Sequence, residues 1–98
     1  MATLKLSIFS PERRIAESVS VSEVTLYGSE GQIQILPGHA AMVGTLESGA
    51  FGYLSMEHQS VGGKISEGFF EVKNDEVIVL AAAVELHTAA QETDSTVH

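Results

Sequence analysis

The sequence predicts an all-β domain, a two-sheet antiparallel β-sandwich, and three observations point there. Apolar residues recur with a period of two, which puts one face of each segment inside and the other outside. Glycine, proline, serine and asparagine punctuate the chain at short intervals, as many short strands require. No useful length of chain carries the i, i+3, i+4 apolar spacing of an amphipathic helix.

The elements follow in chain order. Leu4, Leu6 and Ile8 alternate with Lys5 and Ser7, and Ser10-Pro11 ends this first strand. Val19 and Val21 alternate with Ser18, Ser20 and Ser22, but Val24 and Leu26 continue on even positions. A one-residue slip of this kind predicts a β-bulge, or a bend where the strand changes sheets. Gly28 and Gly31 flank Ser29 and Glu30 as a turn, and Ile33 and Ile35 alternate beyond it. Pro37-Gly38 stops that strand, because Pro presets φ and Gly accepts φ > 0. Turns are expected at Ser48-Gly49 and Gly62-Gly63, either side of a strand with Phe51 and Tyr53 facing one way. Asn74-Asp75 separates "FFEVK" from "EVIVL", a hairpin signal. Residues 76–84 are almost continuously apolar, which predicts a strand buried on both faces. The polar, aperiodic end "HTAAQETDSTVH" predicts a loose tail, so the domain is expected at residues 1–86 and the tail at 87–98.

The 98 residues fit one domain, and 44% hydrophobic against 18% charged residues describes a globular chain. Without cysteine there is neither a disulfide nor a thiolate metal site. Five basic and thirteen acidic residues give a net charge of −8, which argues against nucleic acid as a partner and against docking on anionic lipid. A basic protein surface remains a suitable partner. No run reaches the ~18 apolar residues of a membrane-spanning helix, so no direct lipid insertion is expected. "MATLKLSIFS" reads as neither a secretory nor a transit signal, which predicts a bacterial cytosolic setting.

Catalytic and metal chemistry find no constellation. No G-x-S-x-G elbow is present, and His39, His58, His87 and His98 lack the i, i+2 or i, i+4 spacing of a ligand pair. "GSEG" has no lysine and carries Glu30, which repels phosphate. No catalytic residue, metal or cofactor is therefore expected. The unusual feature is "LYGSEGQIQILPGHAAM", where glycines, alanines and Pro37 surround His39. The histidine reads either as fixing the turn or as an interface contact.

That loop carries a resemblance. Gly28, Ser29, Glu30, Gly31, Ile35, Leu36, Pro37, Gly38, His39 and Ala40 fit the G-S-E-G-x-[LIF]-G-I-[LY]-P-G-H-A-P signature of the epsilon subunit of F-type ATP synthases, called delta in mitochondria. "SEGFFEVKNDEVIVLAAA" and the opening "LKLSIFSPER" are similar to the same family, over roughly residues 3 to 85 in register. Gln34, Ala41, Ser48, Glu67 and Ala82 depart from its pattern. The resemblance implies a non-catalytic β-sandwich in the central stalk, peripheral on the cytoplasmic face of a bacterial membrane. Its partners would be the gamma subunit and the c-ring, and it would couple ion translocation to ATP synthesis. It further implies gamma contacts at Ser10, His39, Met42 and Gly44, and c-ring contacts on a separate face at Ser29, Glu30 and Gln32. Gly28, Gly31, Pro37 and Gly38 would shape the turns. "VELHTAAQETDSTVH" carries no [IL]-D-x-x-R-A motif, so the family's inhibitory, ATP-binding helical hairpin is not expected in it. The alternative is a stand-alone β-sandwich that binds a small ligand, which would want more exposed aromatics than six can supply.

Overall fold

The computed structural model describes residues 3–88, and among these there are nine strands and no helix. They are β1 (Leu4–Ser10), β2 (Arg13–Gly28), β3 (Gly31–Ile35), β4 (Met42–Leu46), β5 (Gly49–Ser55), β6 (Ser60–Ile65), β7 (Gly68–Lys73), β8 (Glu76–Ala81) and β9 (Val84–Thr88). Pairing runs β1-β8-β7-β4 in one layer. In the other layer β3 and β5 flank the end of β2, and β6 and β9 follow.

β2 belongs to both layers. Its first part pairs with β1 as far as Leu4↔Val21, and from Val24 it pairs with β3 and β5. The register against β5 shifts between Val21 and Glu23, where the apolar phase slips in the sequence. A second irregularity had no sequence signal. Opposite Ser7, Ser18 adopts φ 52, and its N–H donates to the Ser7 hydroxyl at 2.9 Å.

Inward-facing apolar side chains of the two layers meet in one core. Leu4, Leu6, Ile8, Val72, Val77 and Val79 come from the first layer, and Val24, Leu26, Ile35 and Phe51 from the second. No polar or charged residue is buried among the described residues. At ~25 cal/mol per Å², such burial is the main stabilising contribution, and a polar substitution inside would leave an unpaired group.

Asn74 and Asp75 form the expected hairpin turn between β7 and β8, both at positive φ (53 and 60), as a type I′ turn demands. Three expectations take a different form. Gly62-Gly63 is not a turn but lies within β6. A Cβ on Gly63 would collide with the Glu85 carbonyl of β9, so the glycine serves close strand approach. The chain reverses instead at residues 56–59, where Ser55 exchanges backbone bonds with His58 and Gln59 and His58 holds φ 66. The pairing of β1 with β8 is parallel, the one exception to an antiparallel scheme among the described strands. Finally, β8 is buried on one face only. Val77, Val79 and Ala81 point inward, while Leu80 remains 48% exposed, because no described element covers the outer side. The expected boundary at residue 86 falls within β9, and the remainder of the expected tail lies outside the described residues.

Tyr53 packs half-buried against the core, and desolvation raises its phenol pKa above the ordinary 10.0. A raised folded pKa means a stabilising contribution present below pH 10 and lost as pH climbs through the folded value. Wild type should therefore lose stability more steeply than Tyr53→Phe above pH 10 in denaturant titrations. Parallel curves would contradict this.

Candidate docking site

The outer side of the first layer is apolar where a solvated sheet face would be polar. Register places Thr45, Phe69, Leu80 and Phe9 in one cross-strand row, and Val43, Glu71, Ile78 and Ser7 in the next. Alternation turns Phe70, Val72, Val77 and Val79 into the core, so these rows must face out. Val43 is 72% exposed and Phe69 62%. A shallow hollow of about 520 Å³ lies between Val43, Thr45, Phe69 and Leu80. A second one, bordered by Phe9, Pro11 and Ala82, continues it past Phe69 and Leu80. A contiguous apolar patch of this kind marks an interaction surface. The sequence does carry its signal: Ile78 and Leu80 are apolar on the off-phase of β8, a pattern that also fits a doubly buried strand. Phe69 is likewise apolar on the off-phase of β7, beside the inward-facing Phe70 and Val72.

Of the residues expected at the gamma face, Gly44 lines the first hollow and Ser10 the second, while Met42 lines a third beside Ser29 and Glu30. Ser10 lies at the end of β1, half-buried, its hydroxyl donating to the Arg13 carbonyl at 3.3 Å. His39 lies at the opposite end of the layer. The Leu36 carbonyl accepts from His39 N–H at 3.1 Å around Pro37 and Gly38 (φ 89), which makes a type II turn. Its Nδ1 is 2.7 Å from the Ala40 carbonyl, and since a carbonyl only accepts, the bond needs the proton on Nδ1. The ring is thus tied to the residue that follows the turn, while the turn itself is closed by backbone. Met42 is partly buried against the core. Gly44 faces Phe70: a Cβ there would come within 2.6 Å of the ring. Its missing side chain makes room for Phe70.

Ser29 and Glu30 occupy an exposed two-residue turn closed by Gly28↔Gly31, with Gly31 at φ 118. A Cβ on Gly28 would sit 3.1 Å from both Ile33 Cδ1 and the Thr45 carbonyl. Gln32 is exposed opposite Tyr27. Ser29 and Glu30 share a hollow with Met42, Val43 and Gly44, so the two faces expected to be separate adjoin here.

Neighbouring turns extend the polar side of this junction into a rim. Glu47 N–H donates to the Tyr27 carbonyl at 3.0 Å, Leu46 pairs with both Gly28 and Gly68, and Ser66 binds Ala83 through backbone and hydroxyl. These links set Glu30, Glu47 and Glu67, all exposed, along one edge of the apolar patch. No group of three or more metal-ligating side chains close enough to hold an ion occurs among the described residues.

Residues 3–87 match the family described as "ATP synthase, Delta/Epsilon chain, beta-sandwich domain". The chain is 37% identical over 84 residues to the ATP synthase epsilon chain of Bdellovibrio bacteriovorus, covering 85% of this chain and 60% of that one. It is 40% identical over 82 residues to the epsilon chain of Carboxydothermus hydrogenoformans, covering 84% and 60%. It thus spans about three-fifths of the length of these curated relatives. A chain in the Euglena gracilis mitochondrial ATP synthase structure (OSCP/F1/c-ring) shares the fold, with TM-score 0.84, 19% identity, and coverage of 98% of this chain and 62% of that chain.

Proposed function

Since the chain belongs to the ATP synthase delta/epsilon β-sandwich family, we propose that it is a non-catalytic central-stalk subunit that holds gamma against the c-ring. The observation that carries the reading is the uncovered apolar face of β4, β7 and β8 bordered by an acidic rim. In this reading gamma covers Val43, Phe69 and Leu80, and the rim of Glu30, Glu47 and Glu67 meets basic loops of the ring. Rotation driven by ion flow passes through this joint to the catalytic head. Mechanically the fold suits the task. A continuous ladder of strands around a close-packed core yields little under load. The complex would hold the subunit at the cytoplasmic face of a bacterial membrane without lipid insertion of its own.

The test is binding of the whole chain to the isolated gamma subunit of its own synthase, followed calorimetrically. Saturable binding supports the reading, and no detectable binding contradicts it. A second measurement addresses the rim. Glu47→Lys with Glu67→Lys should leave gamma binding unchanged and weaken docking on the c-ring by ~1 kcal/mol or less per charge. The difference should shrink as salt shortens the Debye length. Ring docking that is insensitive to both charge and salt would remove the electrostatic part of the account.

A further inference from the structure

Asp75 bridges two loops that are distant in sequence. The Gly38 N–H donates to its Oδ1 at 2.8 Å across 37 residues, and the Lys5 N–H donates to its backbone carbonyl at 2.9 Å. The residue sits at φ 60 in the tight turn between β7 and β8, which leaves its short side chain directed at the loop of residues 36–39. Among the described residues, the other hydrogen bonds of the connection between β3 and β4, the Leu36–His39 turn bond and the His39 ring bond to Ala40, stay within residues 36–41. The loop also leads straight into β4, whose outer residue Val43 belongs to the apolar face.

We propose that Asp75 is a positioning residue, a latch that pins the loop bearing His39 to the first layer and so presets one end of the docking face. The link to docking rests on the proposed function above; the latch itself does not. A hydrogen bond to a carboxylate is stronger than one between neutral groups, and it fixes a backbone that a Pro-Gly turn would otherwise leave to pivot. Presetting the loop reduces the ordering that a partner must impose on binding.

The turn itself would confuse a simple alanine variant, because Ala is strained at positive φ. Asp75→Gly avoids this: glycine suits the type I′ turn after Asn74 but offers no acceptor. Asp75→Asn keeps both the φ preference and a carbonyl acceptor. The first readout is amide exchange of the full chain. Asp75→Gly should keep its thermal midpoint yet speed exchange at Gly38 by about tenfold or more, the range for a charge-assisted bond, and Asp75→Asn should restore most of the protection. The second readout is gamma affinity, expected to fall roughly threefold to tenfold in Asp75→Gly and to recover in Asp75→Asn. Unchanged exchange at Gly38 in Asp75→Gly overturns the latch. Faster exchange with unchanged gamma affinity overturns its role in docking. Failure of the wild-type chain itself to bind gamma counts against the proposed function and leaves the exchange test of the latch standing.

Discussion

Phe69→Thr combined with Leu80→Thr is expected to leave the fold intact and to weaken gamma binding by about 100-fold or more. Phe69 and Leu80 are 62% and 48% exposed and paired directly across β7 and β8. Removing them therefore opens no cavity, and Thr retains the strand preference of both positions. In a complex the same two side chains would sit near the centre of the covered patch. An interface of ordinary size buries ~800 Å² per partner and concentrates its energy in a few central apolar anchors, each worth ~2 kcal/mol or more. Two coupled anchors do not add simply, but even partial addition reaches the stated loss. Titration of gamma with the double variant measures it, with urea midpoints as the control for folding. Unaltered affinity with an unaltered midpoint would remove gamma from this face.

A second large effect concerns stability. Gly68→Ala should cost about 2 kcal/mol or more, at the upper end of what overpacking does. Gly68 pairs with Leu46 on one side and Ala81 on the other, and a Cβ there would run into the Leu80 carbonyl. The obstacle is backbone, so no rotamer change relieves it. Gly62→Ala is the matched control: in β6 the added Cβ meets only the Phe51 carbonyl, at 3.6 Å. Reduced backbone freedom in the unfolded chain should make that change neutral or slightly stabilising. With total stabilities of ~5–15 kcal/mol for such domains, the difference is readily read from urea unfolding. Equal midpoints for the two variants would contradict the packing described at Gly68.

Much of this architecture is legible in the sequence because strand periodicity is local. Leu4, Leu6 and Ile8 all reach the core, the phase slip before Val24 marks where β2 changes layers, and Asn74-Asp75 makes the hairpin it advertises. What local pattern cannot supply is the partner of each face. The apolar off-phase of β8 looks identical whether a second layer or another protein covers it, so periodicity alone predicts a buried Leu80. Glycine is similarly ambiguous. Gly62-Gly63 carries a turn signature, yet the close approach of β9, some twenty residues further on, is what requires Gly63. Gly44 likewise needs its missing side chain because of Phe70, distant in sequence, which fills the space beside it. The bond from Gly38 to Asp75 has no sequence signal, since only the parallel seating of β8 against β1 and the folding of β4 onto β7 bring the two turns together.

The central claim is that one small sandwich touches two different partners through adjoining but distinct surfaces. Photo-crosslinking in the assembled synthase tests this most directly, with benzoylphenylalanine placed singly at Phe69 and at Glu67. Phe69 lies in the apolar face, and Glu67 lies in the turn that leads into the same strand. The account predicts that the probe at position 69 captures gamma and the probe at position 67 captures the c-ring subunit. Capture of the ring at 69 and gamma at 67, or of neither partner at either position in an active complex, would contradict it.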